Sequence, residues 1–188
     1  MTFLLRTKTW PFYAPLVAAL AVADTLDSYI SQPQFKIKWI NDVHHLNRKL
    51  SGTLCTCTNI DTASFSSIGI GVNLNSSPLA DTSICLRDIT SAPDEIDVDD
   101  FVERLADRVM LYFSHADKHG FAGELLGRIT SKLDFMGEEV NIFDETLTNV
   151  LHKGKFIGIN SFGHARLLKS DGTTIETMEG RMRRASDL

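Results

Sequence analysis

Residues 35–42 read Phe35-Lys36-Ile37-Lys38-Trp39-Ile40-Asn41-Asp42, and they decide how the surrounding chain is expected to fold. Apolar residues alternate with lysines as far as Trp39, and this period of two is typical of a strand with one buried face. Asn and Asp form hydrogen bonds with their own backbone at turns, so Asn41 and Asp42 are expected to end the strand. Trp39 is expected to be a core residue.

Two further strand-like runs follow, Val43 to Leu46 and Leu50 to Thr58, with the polar turn Asn47-Arg48-Lys49 between them. Three strands joined by tight turns form an antiparallel meander. The turns are expected to gather Asn41, Asp42, Arg48 and Lys49 into a small volume. His44 and His45 are neighbours in a predicted strand and point to opposite faces, so they are not expected to bind a metal together.

A fourth strand is predicted from Ser66 to Asn75, after a loop over residues 59–65. Gly69 and Gly71 alternate on one face of this strand. Glycines in that arrangement indicate that something packs directly on the backbone.

The composition limits the class of protein. A length of 188 residues with 43% hydrophobic content suits one globular domain with a small appendage. The net charge of −5 argues against a broad nucleic-acid-binding surface. The three cysteines, Cys55, Cys57 and Cys85, lack the second ligand pair of a zinc site and are expected to be buried thiols in a reducing cytoplasm.

The N-terminal region admits two interpretations. Residues 14–30 predict a helix that is apolar nearly all round in its first half, with Pro15 in its first turn. Arg6 and Lys8 before the apolar run from Pro11 to Ala23 also resemble a secretory signal. The apolar pattern continues past Ala23, as a buried helix requires, and the run is too short to span a membrane.

Two more helices are predicted next, and short strands are predicted after them. Residues 97–119 predict a helix with Asp97 as N-cap, a stop at Gly120, and an apolar stripe of Val98, Val102, Leu105, Val109, Tyr112 and Phe113. A second helix is predicted over residues 121–134, with Phe121, Leu125, Ile129 and Leu133 on its apolar face. From Gly137 short apolar runs alternate with turns at Lys153-Gly154, Phe162-Gly163 and Asp171-Gly172. They predict a small barrel over residues 137–188 after a core over residues 1–136.

Three motifs in order give the chain a resemblance to a known family. Lys38-Trp39-Ile40-Asn41-Asp42, Lys49-Leu50-Ser51-Gly52 and Gly69-Ile70-Gly71-Val72-Asn73 resemble the Lys-Trp-Pro-Asn-Asp, Lys-Leu-Ala-Gly and Gly-x-Gly-Ile-Asn segments of biotin protein ligases. The resemblance runs from about residue 4 to the C-terminus. It implies an α/β (α+β) core with the mixed sheet of class II synthetases and biotin–lipoate ligases, followed by an SH3-like barrel.

Two departures accompany the resemblance. Ile40 stands where the family carries proline, which alters the stiffness of the turn. Residues 1–37 contain no counterpart of the family's Gly/Arg-rich loop, or of the earlier strand and helix that complete the biotin pocket. The expected core is therefore incomplete at its N-terminus.

The resemblance implies a role for particular residues. Lys49 and Asn41 are the expected catalytic residues, with Lys49, Gly52 and Gly69 binding biotin. Asn41, Asp42, Gly71, Val72 and Asn73 are expected to bind ATP. Arg48 is either a phosphate contact or a surface charge. The tail arginines Arg181, Arg183 and Arg184 are expected to be solvated, with docking of an acidic carrier domain as the alternative.

The implied reaction has two steps. Biotin attacks the α-phosphate of ATP to give biotinyl-5′-AMP, and a lysine of a biotin carboxyl carrier domain then attacks the adenylate. Fixed positive charge is needed because carboxylate and phosphate repel each other, and Mg²⁺ bound with the nucleotide is expected to share this task. A lipoate or octanoate ligase relative and an inactive truncated ligase acting as a binding module are the alternatives. Homodimer formation is left open.

Overall fold

The predicted meander forms one side of a five-stranded sheet. The computed structural model describes residues 1–7, 12–32, 34–61, 63–78, 80–90 and 94–187. The strands of this sheet are β1 (Thr2–Thr7), β2 (Lys36–Lys38), β3 (Asp42–His45), β4 (Arg48–Ile60) and β5 (Ala63–Val72). They lie in the order β1-β5-β4-β3-β2. Phe35, Ile37 and Trp39 are buried and Lys36 is exposed, so the predicted alternation is confirmed.

Two sequence-based expectations about this sheet need correction. The sheet was expected to be mixed, but its four ladders are antiparallel, because β2 to β5 follow one another through short turns. The loop expected over residues 59–65 is much shorter, since β4 runs to Ile60 and β5 begins at Ala63. The cross-strand pairing that continues from Asn59 to Ser64 extends the hairpin at the expense of the loop.

Helix α1 (Ala14–Asp27) is the centre of the hydrophobic core. Its residues from Leu16 to Ala23 are fully buried, because the helix packs against the sheet on one side and other helices on the other. The predicted buried helix with Pro in its first turn is confirmed, although it ends three residues earlier than the expected Ile30. Lys8 and Pro11, on which the signal interpretation depends, lie outside the described residues.

The other three α-helices are α2 (Leu86–Ile89), α3 (Val98–His119) and α4 (Glu124–Lys132). Asp97 caps α3 by accepting hydrogen bonds from the backbone N–H groups of Asp99 (2.9 Å) and Asp100 (3.2 Å), as predicted. Val98 and Val102 were expected in the buried stripe of α3, but they are 50% and 36% exposed. The larger Phe101 occupies the core-facing position instead.

A second five-stranded antiparallel sheet follows α4. Its strands are β6 (Glu139–Phe143), β7 (Val150–Ile159), β8 (Ala165–Leu168), β9 (Thr174–Thr177) and β10 (Arg181–Arg184), in the order β10-β6-β7-β8-β9. The predicted hairpin turn at Asp171-Gly172 is confirmed between β8 and β9. The expected SH3-like barrel is not confirmed, because β9 and β10 stand at opposite ends of the order and the sheet is not closed among the described residues.

Lys153-Gly154 was expected to form a turn but lies inside β7. A Cβ atom at Gly154 would lie 2.7 Å from the backbone oxygen of Leu168. The glycine is therefore needed for the close approach of β8 rather than for a turn.

Hydrogen bonds join the two sheets. Trp39 is only 2% exposed, and its indole Nε1 donates to the Gly163 carbonyl at 3.0 Å, so it is a core residue as predicted. The Asp134 N–H, just after α4, donates to the Ile37 carbonyl at 2.8 Å. These contacts fix the second sheet against the strand that carries the first sequence motif.

Two further expectations concern the burial of the cysteines and the absence of a membrane-spanning segment. Cys85 is buried, whereas Cys55 and Cys57 are only partly buried, and none of the three is in a disulfide. Burial raises the pKa of the Cys55 thiol to about 12. None of the helices in the described part of the chain has the length and hydropathy needed to cross a membrane.

Candidate functional site

The predicted glycines lie side by side on one face of the first sheet. Asp42 of β3 is paired with Gly52 of β4, and Gly52 is paired with Gly71 of β5. Directly paired residues present their side chains to the same face of a sheet. Gly69 precedes Gly71 by two residues in β5. It is paired with Leu54, which is 72% exposed. The three glycines therefore expose backbone on one face, next to the Asp42 carboxylate.

Lys49 lies at the edge of this glycine surface. Its Nζ is 2.5 Å from Asp42 Oδ1, and a Cβ atom added to Gly52 would come within 2.9 Å of that same Nζ. The end of the lysine side chain thus lies over Gly52. Its side chain is 48% exposed, so the ammonium group can still reach a bound molecule.

The backbone of Lys49 is held by a segment from elsewhere in the chain. Its N–H donates to the Thr82 carbonyl at 2.7 Å, and its carbonyl accepts from the Ile84 N–H at 3.0 Å. The resulting parallel bridge with Ser83 extends the sheet beyond the end of β5. Both the backbone and the charged end of Lys49 are therefore positioned before any ligand binds.

Asn41 and Asp42 form the turn that faces Lys49. The Asn41 side-chain Nδ2 donates to the Thr53 carbonyl at 2.7 Å, and the Asn41 carbonyl accepts from the Thr53 N–H at 2.9 Å. One amide proton of Asn41 is thus committed to holding the turn. The preceding Trp39–Ile40 peptide bond is cis. Asp42 contacts lysines on two sides, since its Oδ2 is 3.9 Å from Lys38 Nζ.

A cavity of about 540 Å³ opens beside this turn. Lys38, Asn41, Asp42 and Lys49 line one side, Thr82 and Ser83 contribute from the connecting segment, and Gly180, Arg181, Met182 and Arg183 come from the second sheet. The cavity therefore lies between the first sequence motif and β10. Its size is within the range of small-molecule sites in proteins, about 300–1,000 Å³.

Lys38 is the most buried cation of the cavity, with 12% of its side chain exposed. Burial lowers the pKa of its ammonium group, and the charges of Arg183 and Lys49 lower it further, while Asp42 raises it. The net effect is a lowered pKa, which shows that burial and like charge outweigh the ion pair.

Val72 and Asn73, like Gly52, Gly69 and Gly71, are outside the cavity lining. The Val72 side chain packs against the hydrophobic core, on the face opposite Gly71. The Asn73 Nδ2 donates to the Ile84 carbonyl at 3.2 Å, and the Asn73 N–H donates to the Leu50 carbonyl at 2.9 Å. The structure therefore does not bring these two side chains into the cavity.

The remaining polar residues predicted near the turns lie in different surroundings. Arg48 is exposed and lies outside the cavity lining. His44 lines the cavity, with its Nδ1 3.6 Å from Asp134 Oδ2, whereas the ring of His45 packs on Phe35 at a centroid distance of 5.5 Å. Burial and the nearby Arg48 lower the pKa of His45. In the described ranges no three His, Cys, Asp or Glu side chains are grouped so that they could hold a metal ion.

Sequence reasoning missed Lys38, His44, Thr82 and Ser83 as lining residues. It assigned Arg183 to a tail that is either solvated or docks a carrier domain, and not to this cavity. Lys38 begins the first motif, so its place beside Asn41 and Asp42 was a usable signal. Ser83 and Arg183 lie far from that motif in sequence, and only the folded chain brings them together.

Comparison with known proteins finds similarity in sequence and in fold. Residues 3–73 match the model of the Biotin/lipoate A/B protein ligase family. No match was found among curated proteins.

Solved structures extend the similarity beyond the matched segment. The apo biotin protein ligase from Aquifex aeolicus has a TM-score of 0.82 and 27% identity, covering 98% of this chain and 81% of that one. The same enzyme in complex with biotin and ATP has a TM-score of 0.80 and 25% identity, covering 98% and 78%. A biotin protein ligase-like protein of unknown function from Silicibacter shares the fold at 11% identity, with a TM-score of 0.69 over 93% and 76% of the two chains.

The family match includes all three motifs, and the structural matches include both sheets. Together they show that this chain is similar to the Biotin/lipoate A/B protein ligase family over residues 3–73 and to solved biotin protein ligases over 98% of its length.

Proposed function

We propose that this protein activates biotin with ATP to form biotinyl-5′-AMP and transfers biotin to a lysine of a biotin carboxyl carrier domain. The observation that carries the proposal is the position of Lys49, which is half-exposed, lies over Gly52 and borders a cationic cavity. The similarity to a ligase solved with biotin and ATP supports the same pair of substrates.

In the first step an oxygen of the biotin carboxylate attacks the α-phosphorus of ATP. The bond from that phosphorus to the β-phosphate oxygen breaks, and pyrophosphate leaves. Two anionic groups must approach each other, so a fixed cation between them lowers the barrier. Lys49 is suited to this role because Asp42 and the Thr82–Ile84 backbone already hold it in place.

The glycine surface leaves room for the ring systems of the two substrates. At Gly52 and Gly69 the bicyclic ring of biotin is able to approach the backbone closely, and at Gly71 the nucleotide is able to do the same. We assign Asn41 and Asp42 to the nucleotide side because they line the cavity. Val72 and Asn73 act there through their backbone, since the Val72 side chain faces the core.

In the second step the amine of the carrier lysine attacks the acyl carbon of the adenylate. The acyl carbon–oxygen bond breaks, AMP leaves with the electron pair, and the amine loses a proton. The acceptor is then a biotin carboxyl carrier domain, and the reaction is cytoplasmic. We expect the second sheet to correspond to the SH3-like part of such ligases, and a homodimer is compatible with the proposal.

Mg²⁺ would accompany the nucleotide. Magnesium is usually held by one or two carboxylates together with substrate phosphates. The described residues contain no group of three or more His, Cys, Asp or Glu side chains that could hold a metal ion, and the carboxylates of the cavity lining that would hold magnesium together with phosphates are Asp42 and Asp187. No step above depends on the ion.

The alternative substrate is lipoate, because the matched family includes both biotin and lipoate ligases. The match to biotin ligases covers 98% of the chain and so includes the second sheet, which favours biotin. Separate calorimetric titrations with biotin and with lipoate decide between them. Tighter binding of lipoate would contradict the proposed substrate.

The activity is tested by pyrophosphate release from ATP in the presence of biotin. We expect Lys49→Ala to lower the rate by about 10²–10³-fold, as loss of one charge stabiliser does in other enzymes. Lys36→Ala is the control, because Lys36 is an exposed lysine on β2 outside the cavity lining. Binding of biotin and ATP without pyrophosphate release would instead indicate a binding module.

A further inference from the structure

Two histidines near the end of α3 have no part in the proposed function. His115 and His119 are four residues apart, so they lie one above the other on the same side of the helix. Their ring centroids are 4.8 Å apart, and the ring planes meet at 47°. Neither residue lines the cavity. The two rings are therefore a pair of metal-binding side chains that is separate from the site described above.

The separation of the two rings suits a shared metal ion. Histidine binds divalent metals through a ring nitrogen at about 2.0–2.1 Å, so an ion held by both rings at this separation would be bound at an angle of about 100°. That angle is close to the right angle of tetragonal copper and nickel sites. The same spacing of two histidines on one helix binds zinc in other proteins.

Both rings are free to turn towards an ion. The His115 side chain is 29% exposed, and His119 is exposed. His115 Nε2 lies 3.9 Å from Glu124 Oε2, which is too far for a hydrogen bond. Among the described residues neither ring takes part in a hydrogen bond, so an ion would not have to displace one.

The charges around the pair favour a cation on balance. The Glu124 carboxylate lies beside His115, and the carbonyl groups at the end of α3 carry negative partial charge. Lys118 and Arg128 oppose a cation here. Lys118 is exposed to solvent, however, and Arg128 Nη2 is paired with Asp24 at 2.6 Å.

We propose that His115 and His119 chelate a divalent copper or nickel ion, with water completing its coordination. The described residues supply no group of three metal-binding side chains, so the site has two protein ligands and is weaker than a structural zinc site. Imidazole suits copper and nickel, whereas magnesium prefers oxygen ligands. The site is therefore distinct in chemistry from the magnesium that accompanies the nucleotide.

Such an ion would stabilise the end of α3. It would link two successive turns of the helix just before Gly120, where α3 ends. The unfolded chain does not hold the two rings together, so the ion binds the folded state in preference. The midpoint of thermal unfolding should then rise with the concentration of the ion.

The test is calorimetric titration of the full chain with NiCl₂, together with thermal unfolding in the same salt. We expect His119→Asn to weaken nickel binding by at least about tenfold, because even the loss of a residue that only supports a ligand costs about 10–100-fold. The rise of the unfolding midpoint with nickel should disappear in this variant. His152→Asn, in β7 of the second sheet, is the matched control.

The double variant Ser114→His/His115→Ser tests the spacing itself. It exchanges two neighbouring residues of α3 and leaves the composition and charge of the chain unchanged. The two histidines then stand five residues apart and no longer face each other. We expect this variant to lose nickel affinity as His119→Asn does. Nickel binding equal to that of the wild type would show that the observed geometry is not responsible.

Three further results would overturn the site. The first is no nickel binding by the wild type, or an affinity of His119→Asn within about twofold of it. The second is an equal loss of affinity in His152→Asn. The third is magnesium binding as tight as nickel binding at the pair. None of these measurements depends on ligase activity, so the outcome is independent of the proposed function.

Discussion

Gly52 is the residue over which the Lys49 side chain lies. A Cβ atom at this position would be 2.9 Å from Lys49 Nζ, 3.1 Å from Lys49 Cε and 3.2 Å from Asp42 Oδ1. The sequence motif places a glycine three residues after a lysine, and the structure shows a steric reason for that spacing. The glycine both exposes backbone and leaves room for the lysine.

Gly52→Ala is therefore expected to move the end of Lys49 without unfolding the protein. The clashing atoms belong to a flexible side chain, so we expect the free energy of unfolding to change by less than about 1 kcal/mol. The rate of pyrophosphate release should fall by about 10-fold to 100-fold, because a small misplacement of a positioned group is costly. Thermal unfolding and steady-state kinetics measure the two effects.

Thr56→Ala provides the comparison for this substitution. Thr56 is an exposed residue of β4, four positions after Gly52 and therefore on the same face. We expect its replacement to leave the rate near that of the wild type. A normal rate in Gly52→Ala would show that the lysine does not need its observed position.

Helix α4 contains a glycine that its packing does not require. Gly127 is exposed, and a Cβ atom added there would meet nothing within 4 Å. The buried positions of the helix are Leu125 and Ile129, which lie on either side of it in sequence. The glycine only adds conformational freedom to the unfolded chain.

Gly127→Ala is expected to stabilise the protein by about 0.5–1 kcal/mol, since alanine favours the helix and fills open space. Urea unfolding measures the change. The same substitution at Gly120 should have the opposite sign, because Gly120 ends α3 with a φ of 82° that alanine adopts only with strain. Equal effects at the two positions would contradict this explanation.

At the scale of the whole molecule, the sequence predicted the local elements better than their contacts. The alternation from Phe35 to Trp39 and the capping pattern at Asp97 depend on neighbours in the chain, and both were confirmed. The contact between Trp39 and Gly163 joins residues 124 positions apart, and no local pattern indicates it. The cavity depends on such contacts, so its β10 side could not be predicted from the motifs.

Gly154 shows the same limit of local sequence patterns, because here such a pattern predicted the wrong structure. Lys153-Gly154 has the local composition of a turn, yet the glycine serves a close approach between β7 and β8. Tertiary packing therefore decided the conformation. The proximity of Asn41, Asp42 and Lys49 could be predicted because tight turns connect them and because a family resemblance already contains long-range information. The place of Arg183 in the same cavity as Lys38 could be seen only in the folded chain.

Asp134 joins the two sheets through charge, which makes the stability of the whole chain depend on pH. Its Oδ2 lies 3.6 Å from His44 Nδ1 on β3, and its Oδ1 lies 3.8 Å from an Arg184 nitrogen on β10. Burial alone would raise the pKa of Asp134, but His44, the Phe135 N–H and Arg184 outweigh it and lower that pKa. The folded state therefore favours the carboxylate more than the unfolded state does.

The stability that Asp134 contributes is expected to be present above the unfolded pKa of an Asp, about 3.9, and to be lost as the pH falls through the lower folded value. In that window the unfolded chain binds the proton more readily. Asp134→Asn should lower the free energy of unfolding at pH 7 by about 1–3 kcal/mol, because His44 and Arg184 then lose their charged partner. The further loss of stability below about pH 4 should then be smaller than in the wild type.

Urea unfolding of both proteins between pH 3 and pH 7 measures this difference, with Asp107→Asn as the control. Asp107 is exposed on α3, far in sequence from the contacts between the sheets. An acid dependence in Asp134→Asn as steep as that of the wild type would show that other carboxylates hold the sheets together. A shallower dependence assigns part of the acid sensitivity to the same interface that forms the cavity, because His44 lines that cavity and contacts Asp134.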